Sequence, residues 1–177
     1  TLAFDVSASS TSKGETALDT MRTLEAMGVD CFVIRHADNG AVAALAAGAR
    51  PATAFINGGD GRSAHPTQGL LDMLTIRRHK GADFSKLRVA IVGDIRHSRV
   101  ARSDIHALRA LGAGEIRLCA PPSLLPEPGD RAGCIVAPTL SDALAGVDVV
   151  MTLRLQRERM QEGLVPSLAA YLAEYGL

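Results

Sequence analysis

The chain has 177 residues, of which 47% are hydrophobic and 3% aromatic, with 19 basic and 19 acidic side chains and a formal net charge of zero. That length supplies one domain or parts of two, with apolar content enough for a core. A balanced charge without a basic block argues against nucleic-acid backbone binding, scarce aromatics argue against a base-stacking platform, and no apolar run approaches the ~20 residues of a membrane helix.

Short apolar runs alternate with amphipathic stretches, the pattern of βαβ units. Leu2 to Val6 is predicted as a strand. Glu15 to Met27 is predicted as a helix, with Leu18, Met21 and Leu24 at near-helical spacing. Cys31 to Arg35 reads as a buried strand whose polar end projects from its C-terminal edge. Ala41 to Ala47 is helical by propensity, and Thr53 to Ile56 is the next strand.

The segment Asn57-Gly58-Gly59-Asp60-Gly61-Arg62-Ser63-Ala64 reads as a glycine-rich loop whose glycine and asparagine positions tolerate positive φ. It leads into a helix that begins at Pro66, a residue suited to the first helical position, and runs to about His79. The free N–H groups at such a helix start attract anions. His65 and Gln68 stand at that mouth, with an imidazole able to polarise a carbonyl and a carboxamide able to hold its NH₂ group. Arg77, Arg78, His79 and Lys80 suit the C-terminal end of the same helix. Gly81-Ala82-Asp83 then breaks the pattern, dividing the chain into domains at 1–80 and 81–177.

A second series opens with Arg88 to Gly93, a continuous apolar run typical of a central parallel strand. Ser98 to Leu111 is predicted as a helix with Val100, Ile105, Leu108 and Leu111 facing inward. Strands follow at Glu115 to Cys119 and Cys134 to Val136, separated by a proline-rich loop at Pro121 to Pro128. Leu140 to Leu144 is a short helix, Val147 to Leu153 a strand and Leu168 to Tyr175 a helix. The expected architecture is α/β, with two open parallel-sheet, Rossmann-like domains.

Some patterns carry no chemistry. Gly112-Ala113-Gly114 lacks the third glycine of a dinucleotide fingerprint and follows a helix, so it reads as a helix C-terminal turn. Cys31, Cys119 and Cys134 are odd in number and lack a CxxC pair; they read as buried small hydrophobes in a reducing cytoplasm, not as a disulfide or zinc set. His36, His79, His97 and His106 have no ligand-like spacing with acids or cysteines, and no metal site is expected. Arg99 and Arg154 are different. Both lie just beyond predicted strand ends, where open α/β sheets place ligands, and guanidinium forks pair with carboxylates through two parallel hydrogen bonds.

His65-Pro66-Thr67-Gln68 followed by Leu70-Leu71-Asp72 resembles the signature of the aspartate carbamoyltransferases. Three further segments agree in the same order. Ser9 with Lys13-Gly14-Glu15-Thr16 resembles the family's mobile loop, Gly93 to Ser103 its aspartate-domain strand and loop, and Arg154-Leu155-Gln156-Arg157-Glu158-Arg159 its Arg-x-Gln-x-Glu-Arg run. The resemblance implies carbamoyl transfer from carbamoyl phosphate to L-aspartate in pyrimidine synthesis, with no metal or organic cofactor. It further implies that Arg35 and His65 donate to the carbonyl oxygen and Gln68 orients the carbamoyl NH₂. Arg99 and Arg154 would clamp the substrate carboxylates, with Gln156 positioning the second clamp. Ser9 and Lys13 would enter a neighbouring subunit's site in a homotrimer.

Two family elements, a Ser-Thr-Arg-Thr-Arg helix start and a His-Pro-[Gly/Leu]-Pro segment, have no match here. The expectation is therefore an internal fragment of a cytoplasmic enzyme, inactive and poorly folded by itself. The arginine and glycine runs also look closest to bacterial forms that assemble with a dihydroorotase-like partner. An ornithine-type sibling would be expected to carry Cys where Thr67 stands and to lack the paired arginines; a non-catalytic or regulatory paralogue is the other alternative.

Overall fold

Thr16 and Asp19 start the first helix by satisfying each other's backbone. Asp19 N donates to Thr16 Oγ1 at 3.1 Å and Thr16 N donates to Asp19 Oδ2 at 3.3 Å, a reciprocal cap for N–H groups that a helix leaves unpaired. The computed structural model describes residues 16–131, 133–156 and 168–175, so the predicted strand from Leu2 to Val6 lies outside the described residues, as do Ser9 and Lys13. The chain separates into two compact units, residues 1–63 and 64–177.

In the first unit, helix α1 (Ala17–Ala26) precedes strand β1 (Cys31–His36), helix α2 (Ala41–Ala47) and strand β2 (Ala54–Asp60), and the two strands pair in parallel. A parallel pair needs a crossover, and α2 provides it. Glu25, buried at 4% exposure, accepts from the Thr53 hydroxyl at 2.6 Å and from Arg50 N at 3.1 Å, which ties α1 to the approach of β2. The Thr53 hydrogen bond holds the Glu25 carboxyl below its ordinary range. Phe32 and Phe55 stack at 5.5 Å between ring centroids.

Two expectations for this unit need correction. β1 is not buried on both faces: its residues alternate in exposure, Cys31 is exposed and Val33 is 70% exposed. Cys31, Val33 and, in register on β2, Ile56 share one face, which nothing among the described residues covers. Nor is Asn57 to Asp60 a loop. It completes β2, with Asn57 opposite Ile34 and Gly59 opposite Arg35, so that Gly58 is the extra residue of a bulge. Gly59 and Gly61 have positive φ, whereas Asn57 does not.

The second unit is a four-stranded parallel sheet in the order β5-β4-β3-β6. Its strands are β3 (Arg88–Gly93), β4 (Glu115–Cys119), β5 (Ile135–Val136) and β6 (Val149–Leu153), with helices α3 (Pro66–Lys80), α4 (Arg99–Ala110), α5 (Leu140–Leu144) and α6 (Leu168–Tyr175). β3 is central, and Val89, Ala90 and Ile91 are wholly buried. Val89 and Ile91 pack with Met73 and Ile76 of α3, Ile105 and Leu108 of α4, and Tyr171 of α6. Ala90 and Val92 pack with Cys119, Ala137 and Ala143. Alternation along one strand thus serves two cores, each fully buried aliphatic side chain contributing about 1.5–3 kcal/mol.

α4 begins where Ser98 Oγ accepts from Ala101 N at 3.1 Å. Leu111, expected to face inward, is 49% exposed because it caps the helix beyond its last turn, and the chain leaves through Gly112 at φ 71°. Gly69 lets α3 approach α4 closely: a Cβ there would lie 3.3 Å from Ser103 Cβ. Leu70 and Leu74 of α3 are exposed.

Gly93 ends β3 at φ 120°, paired with Leu153 of β6, and an added Cβ would press on the Leu153 carbonyl oxygen. Gly93→Ala is expected to strain the backbone and part the two strands, lowering unfolding free energy by about 1–3 kcal/mol. Gly129→Ala, where a Cβ meets nothing within 4 Å, should stay within about 0.5 kcal/mol. Urea unfolding of both variants checks this; equal stabilities would refute it.

Candidate active site

Parallel strands of an open sheet deliver their following loops to one edge, and ligands bind there. β3 and β6 are adjacent, so the loops carrying Arg99 and Arg154 leave the sheet side by side. Asp94, directly after β3, is fully buried. Its Oδ1 accepts from His97 N at 3.2 Å and pairs with His97 Nδ1 at 2.8 Å, while its Oδ2 accepts from Gln156 N at 3.0 Å. A buried carboxylate demands such donors, and here they come from both loops.

Arg99 follows the Ser98 cap as the first residue of α4 and is only 5% exposed. Arg154 is exposed, with Nη1 donating to the Leu155 carbonyl at 3.2 Å, and Gln156 is half-buried. The site therefore carries one guanidinium held inside the fold and one at its surface, on loops joined by a single carboxylate.

His65 and Gln68 occupy the first turn of α3. Pro66 stands at the expected first helical position, and the His65 backbone N–H donates to Ser103 Oγ of α4 at 2.8 Å. Thr67 Oγ1 lies 3.2 Å from His65 Nδ1; with the hydroxyl donating, Nδ1 is the acceptor and Nε2 carries the ring proton. Gln68 Nε2 donates to Asp72 Oδ1 at 3.0 Å. A carboxylate only accepts, so this bond orients the amide: NH₂ toward Asp72, oxygen toward the opposite side as an acceptor for an N–H group.

Of the other sequence-predicted residues, Arg35 lies in the first unit near the C-terminal end of β1, exposed and paired in register with Gly59. The basic cluster Arg77 to Lys80 forms the last turn of α3, and His79 and His106 are exposed. Sequence reasoning missed Asp94 and Ser103, and it set His97 aside. His97 is 6% exposed, with Nδ1 2.8 Å from Asp94 Oδ1. The three-residue spacing of Asp94 and His97, immediately after an all-apolar strand, was the available signal. Among the described residues no three His, Cys, Asp or Glu side chains gather as a metal-ligand set, and no helix is long and apolar enough to cross a membrane.

Comparison with known proteins adds a family to this geometry. Residues 1–78 match the family model described as aspartate/ornithine carbamoyltransferase, carbamoyl-P binding domain. An aspartate carbamoyltransferase catalytic subunit from Xanthomonas oryzae pv. oryzae is 68% identical over 176 residues, covering 99% of this chain and 56% of its own length. One from Stenotrophomonas maltophilia is 67% identical with the same coverage. The chain thus spans little more than half the length of the curated relatives it matches. Among solved structures, aspartate transcarbamoylase from Trypanosoma cruzi in complex with carbamoyl aspartate and phosphate superposes with a TM-score of 0.82 at 31% identity, over 96% of this chain and 56% of that one. Ornithine carbamoyltransferase from Thermus thermophilus gives 0.71 at 28% identity, over 82% and 48%. High identity along nearly all of this sequence, together with a shared parallel-sheet fold, makes the chain similar to the aspartate/ornithine carbamoyltransferases, and to the aspartate enzymes in particular.

Proposed function

We propose that the chain is the larger part of an aspartate carbamoyltransferase catalytic subunit, moving the carbamoyl group of carbamoyl phosphate to the amine of L-aspartate in pyrimidine synthesis. The observation that carries this reading is the Asp94 carboxylate, which ties the loop of Arg99 to the loop of Arg154 and Gln156. Solved relatives from Trypanosoma cruzi support it, since they hold carbamoyl phosphate with aspartate, or carbamoyl aspartate with phosphate. Residues 1–80 are assigned to carbamoyl phosphate and 81–177 to aspartate.

In the proposed reaction the amine lone pair attacks the carbamoyl carbon, the C–O bond to phosphate breaks, and the amine gives up a proton as N-carbamoyl-L-aspartate forms. Arg35 and His65 donate to the carbonyl oxygen as it gains negative charge. Losing one such donor costs about 10²–10³ in turnover. Gln68 presents its oxygen to the carbamoyl NH₂. Arg99 and Arg154 grip the carboxylates of aspartate, with Gln156 positioning the second grip. Phosphate is already a good leaving group, so the reaction calls on no metal or organic cofactor. Orientation of the two reactants supplies much of the rate, up to ~7–11 kcal/mol.

Ser9 and Lys13 are assigned to a site shared between subunits of a cytoplasmic homotrimer, and a dihydroorotase-like protein to its higher assembly. Thr67 and the paired arginines favour aspartate over ornithine as the acceptor.

Assays belong in a polypeptide of the relatives' full length. There Arg154→Ala should weaken aspartate by about 2–5 kcal/mol, because a carboxylate loses its paired charge, and carbamoyl phosphate far less. Equal losses for both substrates, or turnover of ornithine in place of aspartate, would defeat the assignment.

Mixing an inactive Lys13→Ala enzyme with an inactive His65→Ala enzyme should restore activity, because hybrid trimers contain one site with both residues intact. Hybrids identified by native mass that stay at the background of either parent would place Lys13 in its own chain's site.

A further inference from the structure

We propose that Asp104, acting through Asp72, is a positioning residue that holds Gln68 in the orientation carbamoyl transfer needs. The proposal rests on the role given to Gln68 above.

The close approach of α3 to α4 at Gly69 and Ser103 carries into the next turn, where Asp72 faces Asp104. Together with Gln68 and the edge strand β6 they line a cleft of about 440 Å³. Asp104 is fully buried, and neither of its oxygens has a hydrogen-bond partner while both acids are read as carboxylates. Two bare carboxylates only accept, so one needs a proton. On Asp104 that proton creates a donor aimed at Asp72. Asp72 then accepts twice, from the Asp104 O–H and from Gln68 Nε2 at 3.0 Å. The result is a relay from a buried acid, through a half-buried carboxylate, to the amide at the start of α3.

Burial first, and then the charge and hydrogen bond of Asp72, push the Asp104 carboxyl up to about 8. Asp72 is the titratable group facing it from α3, and the residues of β6 lining the cleft, Val149 to Leu153, include none. At neutral pH Asp104 is therefore a donor. As pH rises through about 8 it ionises, the two charges repel and Asp72 loses its donor, so Gln68 is released. Stability follows the same sign. The folded chain binds this proton more tightly than the unfolded chain, so the stabilisation is full below the ordinary carboxylate range and is lost as pH rises through about 8.

The test follows the Gln68 side-chain amide by ¹⁵N NMR from about pH 6 to about pH 9.5, its resonance assigned by its loss in Gln68→Ala. Alongside it, kcat and KM for carbamoyl phosphate are measured in the full-length enzyme over the same range. The parent should show an amide transition near pH 8 and an alkaline fall in kcat with the same midpoint. Asp104→Asn supplies an N–H donor at every pH, so both transitions should vanish. Asp104→Leu supplies none, so the amide should be mobile throughout and kcat lowered about 10- to 100-fold. If Asp104→Leu fails to fold, the near-isosteric Asn variant still decides. A Gln68 amide insensitive to pH and unchanged in Asp104→Asn overturns the proposal. An amide that responds as expected while kcat stays flat supports the relay and overturns the role of Gln68 in transfer.

Discussion

A carboxylate buried at the end of a central strand must collect hydrogen-bond donors, and the arrangement of the second unit depends on how Asp94 collects them. Its immediate neighbours Gly93 and Ile95 carry no side-chain donor, so the donors come from the loop that follows it and from the loop beyond β6. Leaving such a group unpaired would cost more than an ordinary hydrogen bond contributes, so the two loops are tied to each other through it. Arg99 opens the helix that follows one of these loops, and Arg154 lies on the other.

The start of α3 is organised by the same economy of donors and acceptors. Pro66 removes one N–H that would otherwise lack a partner, Ser103 takes the N–H of His65, and Asp72 takes the amide of Gln68. Gly69 makes this possible, because a larger residue there would push α3 away from Ser103. The chain's pattern breaks at Gly81, where α3 ends, while the compact units divide between Ser63 and Ala64, before α3 begins. These mark different things. A glycine ends a helix by local geometry, whereas the seam reflects which core the helix buries its apolar face against, and Met73 and Ile76 are buried with α4 and β3.

Much of the fold was legible in the residues because it depends on local periodicity. The all-apolar run at β3 and the alternation of strands and helices are short-range patterns, and they appear where expected. Of the candidate site, the motifs were legible. His65, Gln68, Arg99, Arg154 and Gln156 stand in recognisable motifs, and the structure puts them at a helix start or after strand ends. Cys31, Val33 and Leu111 were misjudged because apolar character says a residue can be buried, not that a neighbour exists to bury it. Asn57 to Asp60 were misjudged because glycine signals a turn and a bulged strand equally well.

The sequence by itself therefore determined the class of the fold: parallel α/β units, their order, and the motifs that resemble those of the carbamoyltransferases. It did so because helix and strand periods and glycine and proline chemistry are written within a few residues of each other. Only the tertiary structure decided that Asp94 reaches Gln156, 62 positions away, that His97 is its partner and not a bystander, and that Asp72 and Asp104 face each other across two helices. Gln156 and Asp104 meet their partners across long stretches of chain, and even the nearby pair of Asp94 and His97 matters only because both are buried. Burial and partnership are properties of packing, and packing has no local signature.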